Sequence, residues 1–107
     1  MKIIIAVQPL IPFLVCQHQG TFVFQELVLR LTEVEEYTAI CKAIEIDFKQ
    51  ISLDNYGHYF LRKLFEKMPS ELVKMFIPTI NNSFVELSTS KNGVFIVQCV
   101  LKGLSLI

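Results

Sequence analysis

Three short runs of side chains in this 107-residue chain share one chemistry. Thr21, Phe22 and Gln25 recur in type as His58, Tyr59 and Arg62, and again as Val94, Phe95 and Gln98. On a helix the first and last members of each trio are four residues apart and lie side by side, with the aromatic ring next to them. A flat ring beside a long donor or acceptor, shown once per run at equal intervals, is a ladder suited to a partner that itself carries flat rings. Single-stranded nucleic acid is such a chain.

Each trio follows a glycine. Gly20 to Gly57 is 37 residues and Gly57 to Gly93 is 36. The frame after the glycine is a variable residue, an aromatic, two apolar residues, a long polar residue, a free position and two more apolar residues. In the central copy Phe60, Leu61, Leu64 and Phe65 fall on one helical stripe and are expected in the core. His58 and Arg62, with Tyr59 beside them, are expected on the opposite surface. A period of this length marks a solenoid, in which each unit is too small to bury its own apolar face and stacks on a neighbour.

Composition sets the limits. A 52% hydrophobic content in 107 residues supports one modest folded domain rather than a disordered chain. Ten basic and ten acidic residues cancel, which argues against a partner held by charge alone. The charges are nevertheless segregated. The glycine-led helices carry Arg30, Arg62, Lys63, Lys67 and Lys102 against Glu26 and Glu66, a balance of +3. The stretch from Glu33 to Asp47 carries five carboxylates against Lys42, a balance of −4. Such runs are also what ordinary solvated faces look like. Cys16, Cys41 and Cys99 are an odd set without CxxC spacing, so neither a disulfide framework nor a zinc site is indicated. Cys41 and Cys99 fall in or beside apolar stripes and read as packing residues. No nucleophile motif, phosphate loop or HExxH occurs, and no catalytic residue, cofactor or metal is expected. His58 has no second ligand or carboxylate in its pattern, and His18 reads as polar surface.

Along the chain, Met1–Val15 opens with one lysine and an apolar run. Gln8, Pro9 and Pro12 interrupt it, no small-x-small cleavage site follows, and it is short for a membrane span. The period gives the simpler reading. Counting back from the glycines, Ile11, Phe48 and Phe84 coincide, as do Leu14, Ile51 and Leu87, so Ile11–Val15 takes the place of a short first helix that Pro9 and Pro12 distort. Gly20–Leu31 is the first glycine-led helix. Thr32, three residues before Glu35, has capping-box spacing for a helix to about Ile44. Phe48–Leu53 is a short helix, and Asp54 or Asn55 caps the one led by Gly57. Ser70 is placed to cap Glu71–Ile80, with Pro78 shortening its last turn. Asn81-Asn82 then turns the chain, Ser83 caps Phe84–Ser88, and the last glycine-led helix runs to about Leu104.

These units resemble the Pumilio (PUF) RNA-binding repeat family. The likeness lies in Ile51-Ser52-Leu53-Asp54-Asn55-Tyr56-Gly57-His58-Tyr59-Phe60-Leu61-Arg62 and in Leu87-Ser88-Thr89-Ser90-Lys91-Asn92-Gly93-Val94-Phe95-Ile96-Val97-Gln98. Gly20–Leu27 matches more loosely, with Cys16-Gln17-His18-Gln19 in place of the usual lead-in. The resemblance implies an all-α fold: a right-handed α-solenoid of stacked three-helix repeats, incomplete at both ends, over residues 1–107, with approximate repeats 8–45, 46–81 and 82–107. It implies that the second helices line a concave surface taking single-stranded RNA at about one base per repeat. Carried over by position, the edge readers are Thr21 with Gln25, His58 with Arg62, and Val94 with Gln98. The stackers are Phe22, Tyr59 and Phe95. The family's usual triplets, such as asparagine-tyrosine-glutamine for uracil, occur in none of the three units. Val94 has no hydrogen-bonding side chain, and Arg62 stands where the family has glutamine or glutamate.

The implied role is post-transcriptional control of messenger RNA in the cytoplasm, with no membrane partner. The convex face is left for proteins, and the uncapped ends for self-association. The alternative from another class is a protein-interaction solenoid or a decayed family member without RNA binding, supported by zero net charge and the non-matching triplets. In that reading Phe22 and Phe95 cover the apolar stems of the next repeat. Secretion would cleave the chain near Cys16; the expected outcome is an intact amino terminus by mass spectrometry of the expressed protein.

Overall fold

The helix led by Gly57 starts where its lead-in directs. Asp54 Oδ2 accepts hydrogen bonds from the backbone N–H groups of Tyr56 and Gly57, each at 2.8 Å, satisfying two of the donors a helix start leaves open. Ser90 does the same one repeat later, its Oγ accepting from Gly93 N–H at 3.2 Å. The first copy has Gln17 at this position and no side-chain cap, and its helix begins two residues earlier, at His18.

The computed structural model describes residues 6–104, which are all-helical with no strand among them. A 3-10 turn at Gln8–Leu10 leads into α1 (Ile11–Leu14), followed by α2 (His18–Arg30) and α3 (Val34–Ile44). Next come α4 (Phe48–Leu53), α5 (Gly57–Lys67) and α6 (Ser70–Val73). A 3-10 turn at Lys74–Phe76 precedes α7 (Ile77–Asn82), α8 (Phe84–Thr89) and α9 (Gly93–Leu104). Residues 1–5 of the opening apolar run and residues 105–107 of the last repeat lie outside the described residues.

Several boundaries differ from the sequence reading. Ser70, read as a cap, is instead the first residue of α6, with Pro69 at the cap position and no side-chain cap bond. The cap of α3 is Glu33, not Thr32: Glu33 and Glu36 bond each other's backbone N–H reciprocally, with Glu36 Oε1 3.1 Å from Glu33 N. The pair one residue along closes the same box with a carboxylate in place of a hydroxyl. Pro78 does not shorten a long helix but starts a new one. Its missing N–H costs nothing in the first turn of α7, whereas a continuous helix would lose a bond to Lys74 and crowd it. The break therefore falls upstream, in the 3-10 turn at Lys74–Phe76. Asn81 and Asn82 consequently end α7 rather than forming a separate turn.

Helices α2, α5 and α9 lie in sequence across the molecule, α2 packed on α5 and α5 on α9. The central stripe is core as its spacing requires: Phe60, Leu61, Leu64 and Phe65 are all buried. Burying each side chain of this size contributes on the order of 1.5–3 kcal/mol. Between α4, α5 and the turn after α6, Phe48 stacks on Phe76 at 4.7 Å and Phe65 meets both rings edge-on, at 6.0 and 5.4 Å. Phe24 of α2 meets Phe60 of α5 edge-on at 6.2 Å. Tyr37 is buried over the end of α2, its hydroxyl donating to Leu31 O at 3.3 Å. The Cys41 thiol sits 3.6 Å from the Met68 thioether, joining α3 to the end of α5. Burial, with Glu45 adding to it, pushes the Cys41 thiol up to about 12.

The repeated glycine has a steric cause. A Cβ on Gly57 would lie 2.7 Å from Ile51 O, and one on Gly93 2.6 Å from Leu87 O. Gly20 meets Leu14 O in the same way. In every copy the partner is the residue six positions earlier, within the preceding short helix. No side chain fits between the two helices, and the obstacle is backbone, which cannot rotate away. Gly57→Ala and Gly93→Ala are each expected to destabilise the chain by about 1–3 kcal/mol, read as a lowered urea midpoint. Gly103→Ala, whose nearest neighbour is the Val73 side chain at 3.0 Å, is expected to cost less.

Candidate nucleic-acid interface

With the glycine pressed on the preceding helix, the next two residues on each glycine-led helix separate. In the first two helices the first of these turns into the junction with the neighbouring unit, and in all three the second stays at the surface. Thr21 and His58 are buried, the latter only 4% exposed, while the rings of Phe22, Tyr59 and Phe95 are all exposed. Val94 is half-buried and Gln98 exposed. This corrects the expectation that His58 lies on open surface beside Arg62. Its position on the helix is as the spacing requires, but the neighbouring unit covers it.

The first junction is held by hydrogen bonds and by rings. Thr21 Oγ1 donates to Tyr56 O at 3.0 Å, and Gln25 Nε2 donates to Thr21 Oγ1 at 3.3 Å. Phe22 packs edge-on against His18 at 5.5 Å, and His18 lies 5.3 Å from the ring of Tyr56. His18 therefore links the two units.

The second junction is built from rings and a cation. His58 lies 4.0 Å from the Tyr59 ring and near-parallel to Phe95 at 6.2 Å, with 17° between planes. The Arg62 guanidinium carbon is 4.7 Å from the centre of Phe95 and 5.6 Å from that of Tyr59, within cation–π range of both. Asn92 fixes the same junction from behind, its Nδ2 donating to Leu53 O and Asn55 Oδ1, both at 3.0 Å. His18 was read as polar surface, and Tyr56 and Asn92, quoted within the two best-matching runs, were given no role of their own; all three reach across a junction.

Burial and then the Arg62 charge hold the His58 imidazole below its ordinary 6.5; Lys91 acts the same way and Asp54 opposes. Its Nδ1 is buried without a hydrogen-bond partner. The Cys16 thiol is pushed up to about 12 by burial and by the neighbouring Asp54 carboxylate, and Cys99 is raised chiefly by burial. Such thiols stay protonated at neutral pH and are poor nucleophiles. A cavity of about 490 Å³ between α1 and α4, lined in part by Phe13, Cys16, Asp47 and Asp54, shares no lining residue with the ring-bearing trios. Among the described residues no group of three His, Cys, Asp or Glu side chains gathers to hold a metal ion. No helix among them is long and apolar enough to cross a membrane. What these trios offer is ring faces, one guanidinium and a few amide groups, an arrangement that stacks planar groups and bonds their edges.

No protein-family profile, curated protein or solved structure matches this chain.

The His58 shift sets a pH dependence of stability. The folded-state pKa lies below the unfolded one, so the unfolded chain takes up the proton more readily once pH falls below 6.5. The penalty is absent above that value and grows as pH falls toward the folded pKa. The urea midpoint is expected to be lower at about pH 5.5 than at about pH 7.5, and His58→Asn is expected to flatten that difference. An unchanged slope in the variant would assign the effect to other groups.

Proposed function

We propose that this chain is a single-stranded RNA-binding module of Pumilio type, a stack of helical units whose glycine-led helices present one ring per unit to successive bases. The observation that carries the reading is the exposure of Phe22, Tyr59 and Phe95 at one position of the frame. Three apolar rings left at the surface two residues after each glycine, while the frame's other apolar positions in the central unit are sealed, have a use if a flat partner covers them. Arg62, resting against two of the rings, supports it: a donor-only side chain beside stacked bases meets base-edge acceptors or phosphate. Thr21 and His58, set in the junctions, act in this reading by holding Gln25 and the neighbouring rings in place. Val94 with Gln98 leaves the third unit one polar reader. The biological role that follows is control of the translation or stability of messenger RNA in the cytoplasm.

The alternative, a protein-interaction solenoid, is favoured by net charge zero. Fluorescence anisotropy with a randomised single-stranded RNA pool at low salt separates the two. The chain is expected to bind, and Tyr59→Ala to weaken binding by about tenfold, one stacked base being worth roughly 1–3 kcal/mol. Arg62→Ala is expected to weaken it as well, with helical circular dichroism unchanged in both variants. An unmutated chain that ignores the pool would end the RNA reading and leave the interaction solenoid standing.

A further inference from the structure

One contact between successive units is made with different chemistry at the two junctions. Counted from the glycines, His18 corresponds to Asn55, and Tyr56 to Asn92. At the second junction the pair is two amides, Asn92 Nδ2 donating to Asn55 Oδ1 at 3.0 Å, and Asn92 is buried. At the first junction it is two rings, His18 and Tyr56, 5.3 Å apart, with His18 exposed and Tyr56 40% exposed. The amide pair joins its units without leaving a ring in water. The first junction therefore carries ring surface beyond what the joint requires.

That surface continues the trios. His18 and Phe22 are four residues apart on α2, and their rings meet edge-on at 5.5 Å. Tyr56 and Tyr59 are three apart at the start of α5, with Tyr59 N–H donating to Tyr56 O at 3.2 Å, and so take neighbouring positions on one helical face. Phe22, His18, Tyr56 and Tyr59 thus follow one another across the first junction. The backbone of Tyr56 is held on both sides: its N–H donates to Asp54 Oδ2 at 2.8 Å, and its carbonyl accepts from Thr21 Oγ1 at 3.0 Å. A ring on a fixed backbone has only its own side-chain torsions left to order, so covering it costs little conformational entropy.

We propose that His18 and Tyr56 form a further stacking site for single-stranded RNA, holding one base between those taken by Phe22 and Tyr59. The inference rests on the RNA reading above and adds to it. The first junction takes a base on its rings, whereas the second, with amides at the equivalent positions, does not, so the strand makes one contact more than there are units. Stacking on a ring tolerates any base, and the site lengthens the bound segment without selecting its sequence.

The double variant His18→Asn, Tyr56→Asn copies the Asn55–Asn92 pair into the first junction, removing the rings while supplying a joint of the kind the second junction uses. Fluorescence anisotropy is run at low salt on the full 107-residue chain with labelled oligouridines of rising length. The unmutated chain is expected to gain affinity from the trinucleotide to the tetranucleotide. The double variant is expected to gain little beyond the trinucleotide and to bind longer strands about tenfold more weakly, with helical circular dichroism and urea midpoint held. Should the double variant lose helical signal, Tyr56→Phe and Tyr56→Leu decide: the first keeps a ring and is expected to bind as the unmutated chain does, the second keeps apolar bulk without a ring and is expected to lose about tenfold. A folded double variant, or Tyr56→Leu, that binds as tightly as the unmutated chain at every length would overturn the site and leave the three-ring reading standing. An unmutated chain that binds no oligonucleotide would overturn the site together with the proposed function, so the two failures are distinct.

Discussion

A backbone contact too close for any side chain organises this molecule. Gly57 lies against the carbonyl of Ile51, Gly93 against that of Leu87 and Gly20 against that of Leu14. Once the glycine is fixed there, the rest of each unit follows from helical geometry. In the central unit the residue after it enters the junction, the next stays outside, and the apolar pair at three and four residues on and the pair at seven and eight face the core. The contact is cheap in sequence, requiring one residue, and strict in space. It gives each unit the same glycine contact ahead of the same order of side chains.

Equivalent positions have not produced equivalent junctions. Between the first and second units the buried position is a threonine, whose hydroxyl bonds Tyr56 O and in turn accepts from Gln25. Between the second and third it is a histidine with an unpartnered Nδ1, held by ring contacts and by the nearness of Arg62. The first junction satisfies its polar atoms locally. The second leaves one unsatisfied and keeps the imidazole neutral, since a proton there would meet both burial and the guanidinium. Stability is therefore coupled to pH at the second junction.

How much of this the chain announces depends on whether the cause is local. The stripe Phe60, Leu61, Leu64 and Phe65 and the Asp54 cap were legible because periodicity and capping act within a few residues. The sealing of His58 was not. Its place on the helix follows from spacing, but its cover comes from Phe95, 37 residues on, and from the closeness the glycine permits. The α3 cap was misplaced because Thr32 and Glu33 both precede a glutamate at the right interval, and only the backbone angles choose between them. Pro78 was read as the end of a helix when it begins one; the same missing N–H serves either purpose, and the turn at Lys74–Phe76 decides which. For the trios, exposure of the three rings agrees with their spacing, whereas His18, Tyr56 and Asn92 act across junctions and carry no local signature.

If the exposed rings take nucleic acid as proposed above, the balance of forces around them bears on which kind they suit. Net charge is zero, so little of the binding energy can come from counterion release. Two of the six edge positions are sealed in junctions and a third is a valine. What remains in quantity is ring surface, together with the guanidinium laid against two of the rings. Stacking of that kind rewards any base whose face is free and offers nothing to a base already paired and stacked in a duplex. On the reading proposed above, the row therefore prefers unpaired over paired strands through the state of the bases, before any individual base edge is read.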